Sequence, residues 1–230
     1  MFANFDFDVI RRSLGYLFLD GMAFTLTLTG LSALGGIIFG TLIALMRLSG
    51  FRLLGRIAGL YVDFIRSLPL VLVIFWFYFL VPYVGQWVTG ASRPISVGAF
   101  TSALVTFIMF EAAYFSEIMR AGIQSISKGQ PAAANALGLT YTQTMRYIVL
   151  PQAFRNMLPV LLTQTIVLFQ DTSLVYVLSM PDFLGAAGKV AQRDGRLVEM
   201  YLFAAIVYFT ISCAASFGVR RLQARISIVR

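Results

Sequence analysis

Five long apolar stretches dominate the sequence, and they limit the fold more strongly than any other feature. They cover about Met22–Met46, Leu60–Val81, Val97–Met119, Met157–Leu178 and Glu199–Phe217. Each is close to the ~20 residues that an α-helix needs to cross a bilayer. Charged residues or Gly and Pro separate the stretches, which favours a helical bundle over a barrel of alternating strands. We therefore expect an all-α, multi-pass integral membrane protein with about five transmembrane helices.

The overall composition agrees with this class and excludes others. Hydrophobic residues make up 59% of the 230 residues and charged residues only 12%, which a soluble domain of this length would not tolerate on its surface. The net charge of +8 could suggest a nucleic-acid partner. However, no basic stripe is interleaved with exposed aromatic residues, and basic residues at the inner ends of membrane helices are expected. We predict no nucleic-acid binding.

The distribution of Arg and Lys predicts the orientation in the membrane. Positive residues in the connections after the first and third stretches and in the C-terminal tail should face the cytoplasm; they are Arg47, Arg52, Arg56, Arg120, Lys128, Arg146, Arg155, Arg220, Arg221, Arg225 and Arg230. The N-terminus is then outside and the C-terminus cytoplasmic. We expect a periplasmic segment at residues 1–20, a transmembrane domain at 21–218 and a basic cytoplasmic tail at 219–230.

Several kinds of chemistry lack the residues that they need. The chain has no histidine and a single cysteine, Cys213, which excludes a histidine base and a zinc site of the usual type. The Gly188-Lys189 pair is no phosphate loop, because Phe183 stands at its first glycine position and Val190 at its Ser or Thr position. We predict no catalytic residue, no metal site and no cofactor on this chain.

The connection between the third and fourth apolar stretches has the pattern of two short helices. Pro131 can open the first helix, and Gly138 can end it in a left-handed conformation. Thr140 is a plausible N-cap of the second helix, with Gln143 at the capping-box spacing, and Leu150-Pro151 is expected to stop that helix. Two short, angled helices beside a membrane would form a docking site for another protein.

Polar residues interrupt the apolar stretches and suggest a pathway through the bundle. Arg66-Ser67-Leu68-Pro69 predicts a break in the second stretch. Ionisable groups at membrane depth usually face the bundle interior, and the candidates for a substrate pathway are Arg66, Glu111, Glu117, Gln164 and Asp171. The carboxylates could instead pair with Arg120 or a neighbouring helix, and Arg66 could anchor the chain at the inner interface or face an anionic substrate. The Gly36-x-x-x-Gly40 spacing predicts close helix packing.

The connection resembles the coupling loop of permeases from binding-protein-dependent ABC importers. That pattern is Glu-Ala-Ala, three residues, Gly, nine residues, Ile, one residue and Leu-Pro, and its counterparts here are Ala132, Ala133, Ala134, Gly138, Ile148, Leu150 and Pro151. Ala132 departs from the pattern, because many members have Glu there. The segments Phe64–Leu70, Glu111–Ile126 and Gln170–Leu174 are similar to the polar amino-acid branch.

The resemblance implies a transport subunit of the inner (plasma) membrane that imports polar amino acids. Within the branch, Thr163–Leu178 and Arg193-Asp194-Gly195 are most similar to the second permease subunit of glutamate/aspartate importers. Glutamine or another polar amino acid is the alternative substrate. The implied partners are ATP-binding subunits that hold ATP and Mg, a homologous second permease, an external or periplasmic solute-binding protein and membrane lipid. The coupling loop, residues 122–151, would face the cytoplasm.

The rival interpretation is a secondary carrier that uses an ion gradient. Such carriers usually contain an internal repeat and more crossings, whereas this chain shows no obvious duplication. Neither a carrier nor a membrane-embedded enzyme requires a cytoplasmic docking loop.

Overall fold

The computed structural model describes residues 5–226, and this part of the chain is helical without β-strands. The helices are α1 (Phe7–Leu48), α2 (Arg52–Arg66), α3 (Leu70–Thr89), α4 (Ala99–Gln124), α5 (Gly129–Ala136), α6 (Tyr141–Leu178), α7 (Phe183–Asp194) and α8 (Leu197–Ile226). Residues 1–4 and 227–230 lie outside the described range, and the second of these segments includes Arg230 of the predicted tail.

Five of these helices are long and apolar enough to cross a membrane, namely α1, α3, α4, α6 and α8. This confirms the expected all-α membrane protein with five crossings. The predicted second crossing at Leu60–Val81 is wrong in its bounds, because α2 ends at Arg66 and the apolar helix α3 covers Leu70–Thr89. The break between them was predicted from Pro69, whose ring disfavours helical angles at the preceding residue.

Two long helices continue through a proline because a wider turn precedes it. In α3 the wide turn covers Trp76–Leu80, and in α6 it covers Met145–Val149; Pro82 and Pro151 follow two residues later. There the Val81 and Leu150 N–H groups donate to carbonyls five residues back. Such a turn relieves the clash between a proline ring and the preceding carbonyls. The prediction that Leu150-Pro151 stops the second short helix is therefore wrong.

The chain folds as two compact units, and the first contains parts of every crossing helix. It comprises the described part of Met1–Leu34 together with Leu68–Ile108 and Ile166–Ala215. One apolar cluster joins the start of α1 to α7 and α8, and it includes Leu17, Phe183, Val190 and Met200. A second cluster joins α1, α3, α4 and α6 through Leu28, Ile74, Phe107 and Leu168.

The second unit comprises Gly35–Ser67, Met109–Thr165 and the described part of Ser216–Arg230. Ala44, Phe115, Met119 and Leu161 form one of its apolar clusters. The predicted close packing at Gly36 and Gly40 is present: a Cβ at Gly36 would lie 2.6 Å from the Glu111 Cβ, and one at Gly40 would lie 3.0 Å from the Phe115 Cβ. Only glycine lets α1 approach α4 this closely.

The predicted boundaries at residues 20/21 and 218/219 both fall inside helices. The first lies within α1, and the second lies within α8. The proposed periplasmic segment and cytoplasmic tail are thus continuous with crossing helices in the described residues. Their location on either side of the membrane stays a prediction.

Candidate functional site

The predicted coupling loop lies entirely in the second unit and contains one short helix, α5. This helix begins at Gly129, two residues earlier than the predicted start at Pro131. Proline is tolerated at this third position, because the first N–H groups of a helix have no intrahelical acceptor. Beneath the loop, Ile126, Val149 and Ala153 form a small apolar cluster. The loop is therefore held by its own core.

Gly138 ends α5 as the sequence predicted. Its φ is +79°, in the left-handed region. The Gly138 N–H donates to the Asn135 carbonyl at 2.9 Å, and the Leu139 N–H donates to the Ala134 carbonyl at 3.1 Å. These two bonds are the Schellman arrangement, which satisfies carbonyl groups at a helix end. No atom lies within 4 Å of the position that a Cβ at Gly138 would take, so the turn faces open space.

The second short helix starts where the capping pattern placed it. The Thr140 N–H donates to the Gln143 side-chain oxygen at 2.8 Å, and the Gln143 N–H donates to the Thr140 hydroxyl at 3.4 Å. This reciprocal capping box is the one predicted. The helix then runs on as α6, so the loop contains a single bend at Gly138 instead of two isolated helices.

The surface around this bend is exposed and mostly uncharged. Leu137 is 79% exposed and Tyr141 is 77% exposed, one on each side of Gly138. The other members of the pattern differ in accessibility: Ala132, Ala133, Leu150 and Pro151 are exposed, Ile148 is half-buried and Ala134 is buried. Sequence reasoning missed Leu137 and Tyr141, although apolar residues beside a predicted left-handed turn were a usable signal.

A cavity of about 330 Å³ lies between α4 and α6 next to the loop. Its lining is mainly apolar and includes Ile118, Gly122, Met157 and Val160. A hydrogen bond of 2.8 Å from the Asn156 amide to the Ser125 hydroxyl connects the two helices at this point. The same region thus connects the loop to the crossing helices.

Glu117 is shared by two arginines. Arg47 from α1 and Arg120 from α4 both donate to its carboxylate, the latter at 2.6 Å, and Arg120 also donates to the Gln124 amide oxygen at 2.7 Å. The Arg120 pairing was one of the alternatives read from the sequence. Arg47 is 70 residues away along the chain, so no local spacing indicated it.

Glu111 and Gln164, two predicted pathway residues, meet in the second unit. Glu111 is buried, and the Gln164 amide donates to its carboxylate at 3.3 Å. The predicted residue Arg66 is exposed at the end of α2, and its guanidinium lies 5.3 Å from the ring centre of Tyr114. Such a cation–π contact leaves the charge accessible.

Asp171 belongs to the first unit and is half-buried near the end of α6. The neighbouring Gln170 amide donates to the Ser212 hydroxyl at 3.0 Å. The four other predicted pathway residues all belong to the second unit. Among residues 5–226, no group of three or more His, Cys, Asp or Glu side chains could hold a metal ion.

Comparisons with known proteins match nearly the whole chain. The family described as "Binding-protein-dependent transport system inner membrane component" matches residues 36–228. The chain is 55% identical over 222 residues to the glutamate/aspartate import permease protein GltK of Escherichia coli O6:H1, covering 96% of this chain and 98% of that protein. It is 35% identical over 209 residues to the probable glutamine ABC transporter permease protein GlnP of Bacillus subtilis, covering 90% and 92%.

Solved structures agree with the described fold. The crystal structure of an amino acid ABC transporter with histidines matches with a TM-score of 0.86 and 30% identity, covering 96% of this chain and 98% of that one. The inward-facing MetNI methionine ABC transporter matches with a TM-score of 0.73 and 18% identity, covering 93% and 97%. At 18% identity, the second match shows a similar fold and nothing more.

Proposed function

Because the chain belongs to the family of binding-protein-dependent transport system inner membrane components, we propose that it is the permease subunit of a glutamate/aspartate importer. It is a multi-pass inner-membrane transport subunit, and in this family a separate subunit hydrolyses ATP. The similarity to a glutamate/aspartate permease along almost the full length carries the substrate proposal. Relatives named for glutamine are more distant, which makes glutamine the second candidate.

The bend at Gly138 is the proposed contact with the ATP-binding subunit. It offers an exposed turn with Leu137 and Tyr141 on its two sides, and a core of its own supports it. Burying two such side chains favours association without any ion pair. ATP and Mg are then held by the partner, and the coupling residues Ala132, Ala133, Ala134, Gly138, Ile148, Leu150 and Pro151 transmit its closure.

The proposed orientation puts the N-terminus outside and the loop in the cytoplasm. Five crossings require the start of α1 and the connection between α6 and α8 to share one side. The ion pair of 3.2 Å between Arg12 and Asp194 is consistent with that requirement. The positive residues near the loop support the cytoplasmic assignment of the other side. An external solute-binding protein and a second permease complete the proposed importer, and lipid surrounds its crossing helices.

ATP hydrolysis is proposed to drive a rigid-body alternation of the permease. The closed ATP-binding subunits favour one of two packings of the crossing helices, and their release favours the other. Arg66, Glu111, Glu117, Gln164 and Asp171 remain the proposed polar pathway. Arg66 is the best candidate to meet a substrate carboxylate, because it is exposed and its charge is not neutralised by its contact with Tyr114.

Arg66→Ala tests this role. We expect a rise of about tenfold in the KM for glutamate with a smaller change for glutamine, since only glutamate carries a second carboxylate for a charged hydrogen bond. Competition uptake with both amino acids in proteoliposomes measures the ratio. An equal loss for both substrates, or a loss of assembled complex, would return Arg66 to an anchoring role.

Purification from the native membrane followed by reconstitution tests the function. We expect a tagged chain to retain an ATP-binding subunit and a second permease. In proteoliposomes that complex should take up glutamate only with ATP inside and the solute-binding protein outside. Uptake that survives without ATP but stops with an ionophore would identify an ion-coupled carrier. Uptake of glutamine in preference to glutamate and aspartate would move the substrate to the second candidate.

A further inference from the structure

Arg66, the last residue of α2, lies against an aromatic ring of another helix. Its guanidinium is 5.3 Å from the ring centre of Tyr114 on α4, and both residues belong to the second unit. The two other arginine–ring contacts described between residues 5 and 226 each join neighbours on a single helix, α6 or α8. The contact of Arg66 is therefore made by the packing of two helices and not by local spacing.

The attachment of α2 to α4 has another support. The Tyr61 hydroxyl donates to the Met109 carbonyl of α4 at 2.8 Å. Ala58, Val62 and Ile65 also form a buried face of α2, each at most 3% exposed. Apolar burial and a hydrogen bond fix the helix without a charged group. The stacking of an arginine at the end of the same helix therefore calls for a further role.

The carboxylates of the second unit do not neutralise Arg66. Glu117 is paired with two other arginines, and Glu111 accepts from the Gln164 amide. Asp63 is exposed one turn before Arg66 on α2, yet no ion pair joins these two side chains in the described part of the chain. Because Arg66 is also exposed, its positive charge is available to an anion.

An aromatic ring holds a guanidinium without using its N–H donors, since those donors lie at the edge of the planar group. The same edge suits a carboxylate, which can accept two parallel hydrogen bonds. Tyr114 is half-buried and lies between the fully buried Ala113 and Phe115 in the sequence, so packing holds α4 firmly around it. A long side chain that is already held in place loses less conformational entropy when it binds a ligand.

We propose that Tyr114 positions Arg66 to receive the side-chain carboxylate of the transported amino acid. The inference rests on the proposed function, because that function makes Arg66 a substrate contact. Tyr114 is then a positioning residue, which acts through the guanidinium and does not touch the carboxylate itself. It favours glutamate and aspartate over glutamine, because only the acidic amino acids offer a second carboxylate to the held guanidinium.

The test measures substrate binding by the complete complex in lipid nanodiscs, without the solute-binding protein, so that only sites in the membrane complex contribute. The Kd is determined for radiolabelled glutamate and for glutamine. Tyr114→Leu keeps an apolar side chain but removes the aromatic face. We expect its Kd for glutamate to rise about twofold to fivefold, as one exposed cation–π contact contributes, and its Kd for glutamine to stay unchanged.

Two further variants show whether the ring acts through Arg66. Tyr114→Phe keeps the aromatic face and should bind glutamate like the unchanged complex. Arg66→Ala/Tyr114→Leu should bind glutamate no more weakly than Arg66→Ala, because a positioning residue has no effect once the group that it positions is gone. Equal losses for Tyr114→Phe and Tyr114→Leu, or additive losses in the double variant, would overturn the proposal.

Tyr61→Phe is the matched structural control. It removes the hydroxyl that donates to the Met109 carbonyl and leaves Arg66 and Tyr114 unchanged. We expect a lower thermal stability of the complex and an unchanged ratio of the two Kd values. A change of that ratio as large as the one for Tyr114→Leu would mean that the ring only anchors α2, which would also overturn the proposal.

Arg66→Ala separates this proposal from the proposed function. If Arg66→Ala weakens glutamate binding and Tyr114→Leu does not, only the positioning role of Tyr114 is wrong. If Arg66→Ala leaves glutamate binding unchanged, or if the unchanged complex binds glutamate no better than glutamine, the proposed substrate role of Arg66 is wrong as well.

Discussion

Within residues 5–226, each unit of the protein contains one carboxylate that two arginines share, and the two sites differ in how far their charges are exposed. Around Glu117 all three side chains are largely covered, with Arg47 17% and Arg120 29% exposed. Around Asp194 only the carboxylate is covered, and both arginines are more than half exposed. The same set of groups therefore holds helices together in one unit and presents positive charge in the other.

The proposed docking bend at Gly138 also differs from the end of the first unit in charge. In the second unit the bend at Gly138 offers the exposed side chains of Leu137 and Tyr141 and an unstrained glycine turn. In the first unit the end that holds Asp194 carries guanidinium and carboxylate groups together. The bend should bind its partner by shape and burial, which salt hardly affects, whereas salt screens the exposed ion pairs of the first unit.

Gly138→Asp is expected to have the largest effect, because it introduces charge and strain at the neutral surface. A residue with a Cβ is disfavoured at a φ of +79°, and a carboxylate would project toward the ATP-binding subunit. We expect near-complete loss of glutamate uptake with normal membrane levels. Uptake and immunoblotting of the same cells measure both.

Gly90→Asp is the matched control for that change. Gly90 also has a left-handed φ of +66° and open space around its missing Cβ, but it belongs to the first unit. It should retain most uptake, since it shares the strain and not the docking role. Equal loss in both variants would attribute the effect to backbone strain and remove the argument for docking at Gly138.

Asp182 differs from both shared carboxylates, because burial and not an arginine has the largest effect on the pKa of its carboxyl. It caps α7, accepting from the Leu184 and Gly185 N–H groups, and burial raises its pKa to about 7. Below about pH 4 it is protonated whether the protein is folded or unfolded. From about pH 4 to 7 only the carboxyl of the unfolded chain ionises, so the free energy of unfolding falls as the pH rises, by about 4 kcal/mol in total.

Asp182→Asn should remove the loss of stability between about pH 4 and 7. The asparagine side chain still caps the helix but has no ionisable group. Thermal unfolding of both proteins in one detergent from pH 4 to 8 is the measurement. Parallel profiles would show that Asp182 is ionised in the folded protein and that the capping bonds outweigh its burial.

Glu117→Gln and Asp194→Asn compare the two shared carboxylates directly. Removing the Glu117 charge leaves Arg47 and Arg120 largely covered and without their anion. We therefore expect the free energy of unfolding to fall by about 2 kcal/mol. Removing the Asp194 charge leaves arginines that water can solvate, so the fall in the free energy of unfolding should be clearly smaller. Denaturant or thermal unfolding gives the ranking. The reverse order would mean that exposure does not distinguish the two sites.

Leu137→Ala is expected to have the smallest effect of these changes. It removes part of one apolar side chain from the proposed contact, so the affinity for the ATP-binding subunit should fall about fivefold, equally at low and high salt. Leu19→Ala is the control, because Leu19 is also 79% exposed but lies in the first unit. A salt-dependent loss for Leu137→Ala would contradict docking by burial.

Local patterns predicted the helix ends well. Gly138, Thr140 with Gln143, and the break before Pro69 appear where expected, because each depends on backbone geometry within a few residues. The effect of Pro151 inside α6 was misjudged. Pro151 reads as a stop signal, yet a wide turn immediately before it lets α6 continue, and that turn has no clear sequence signature.

The sequence by itself determined the membrane class, the number of crossings and the capped turn at Gly138 and Thr140, because apolar length, capping and glycine geometry act over short distances. Only the tertiary structure decided which charges meet. Glu117 takes Arg47 from another helix, Asp194 takes Arg12 from the start of the chain, and Asp171 belongs to a different unit from the other pathway residues. Pairing energies depend on distance and burial between segments far apart in sequence, and neither can be read from spacing along the chain.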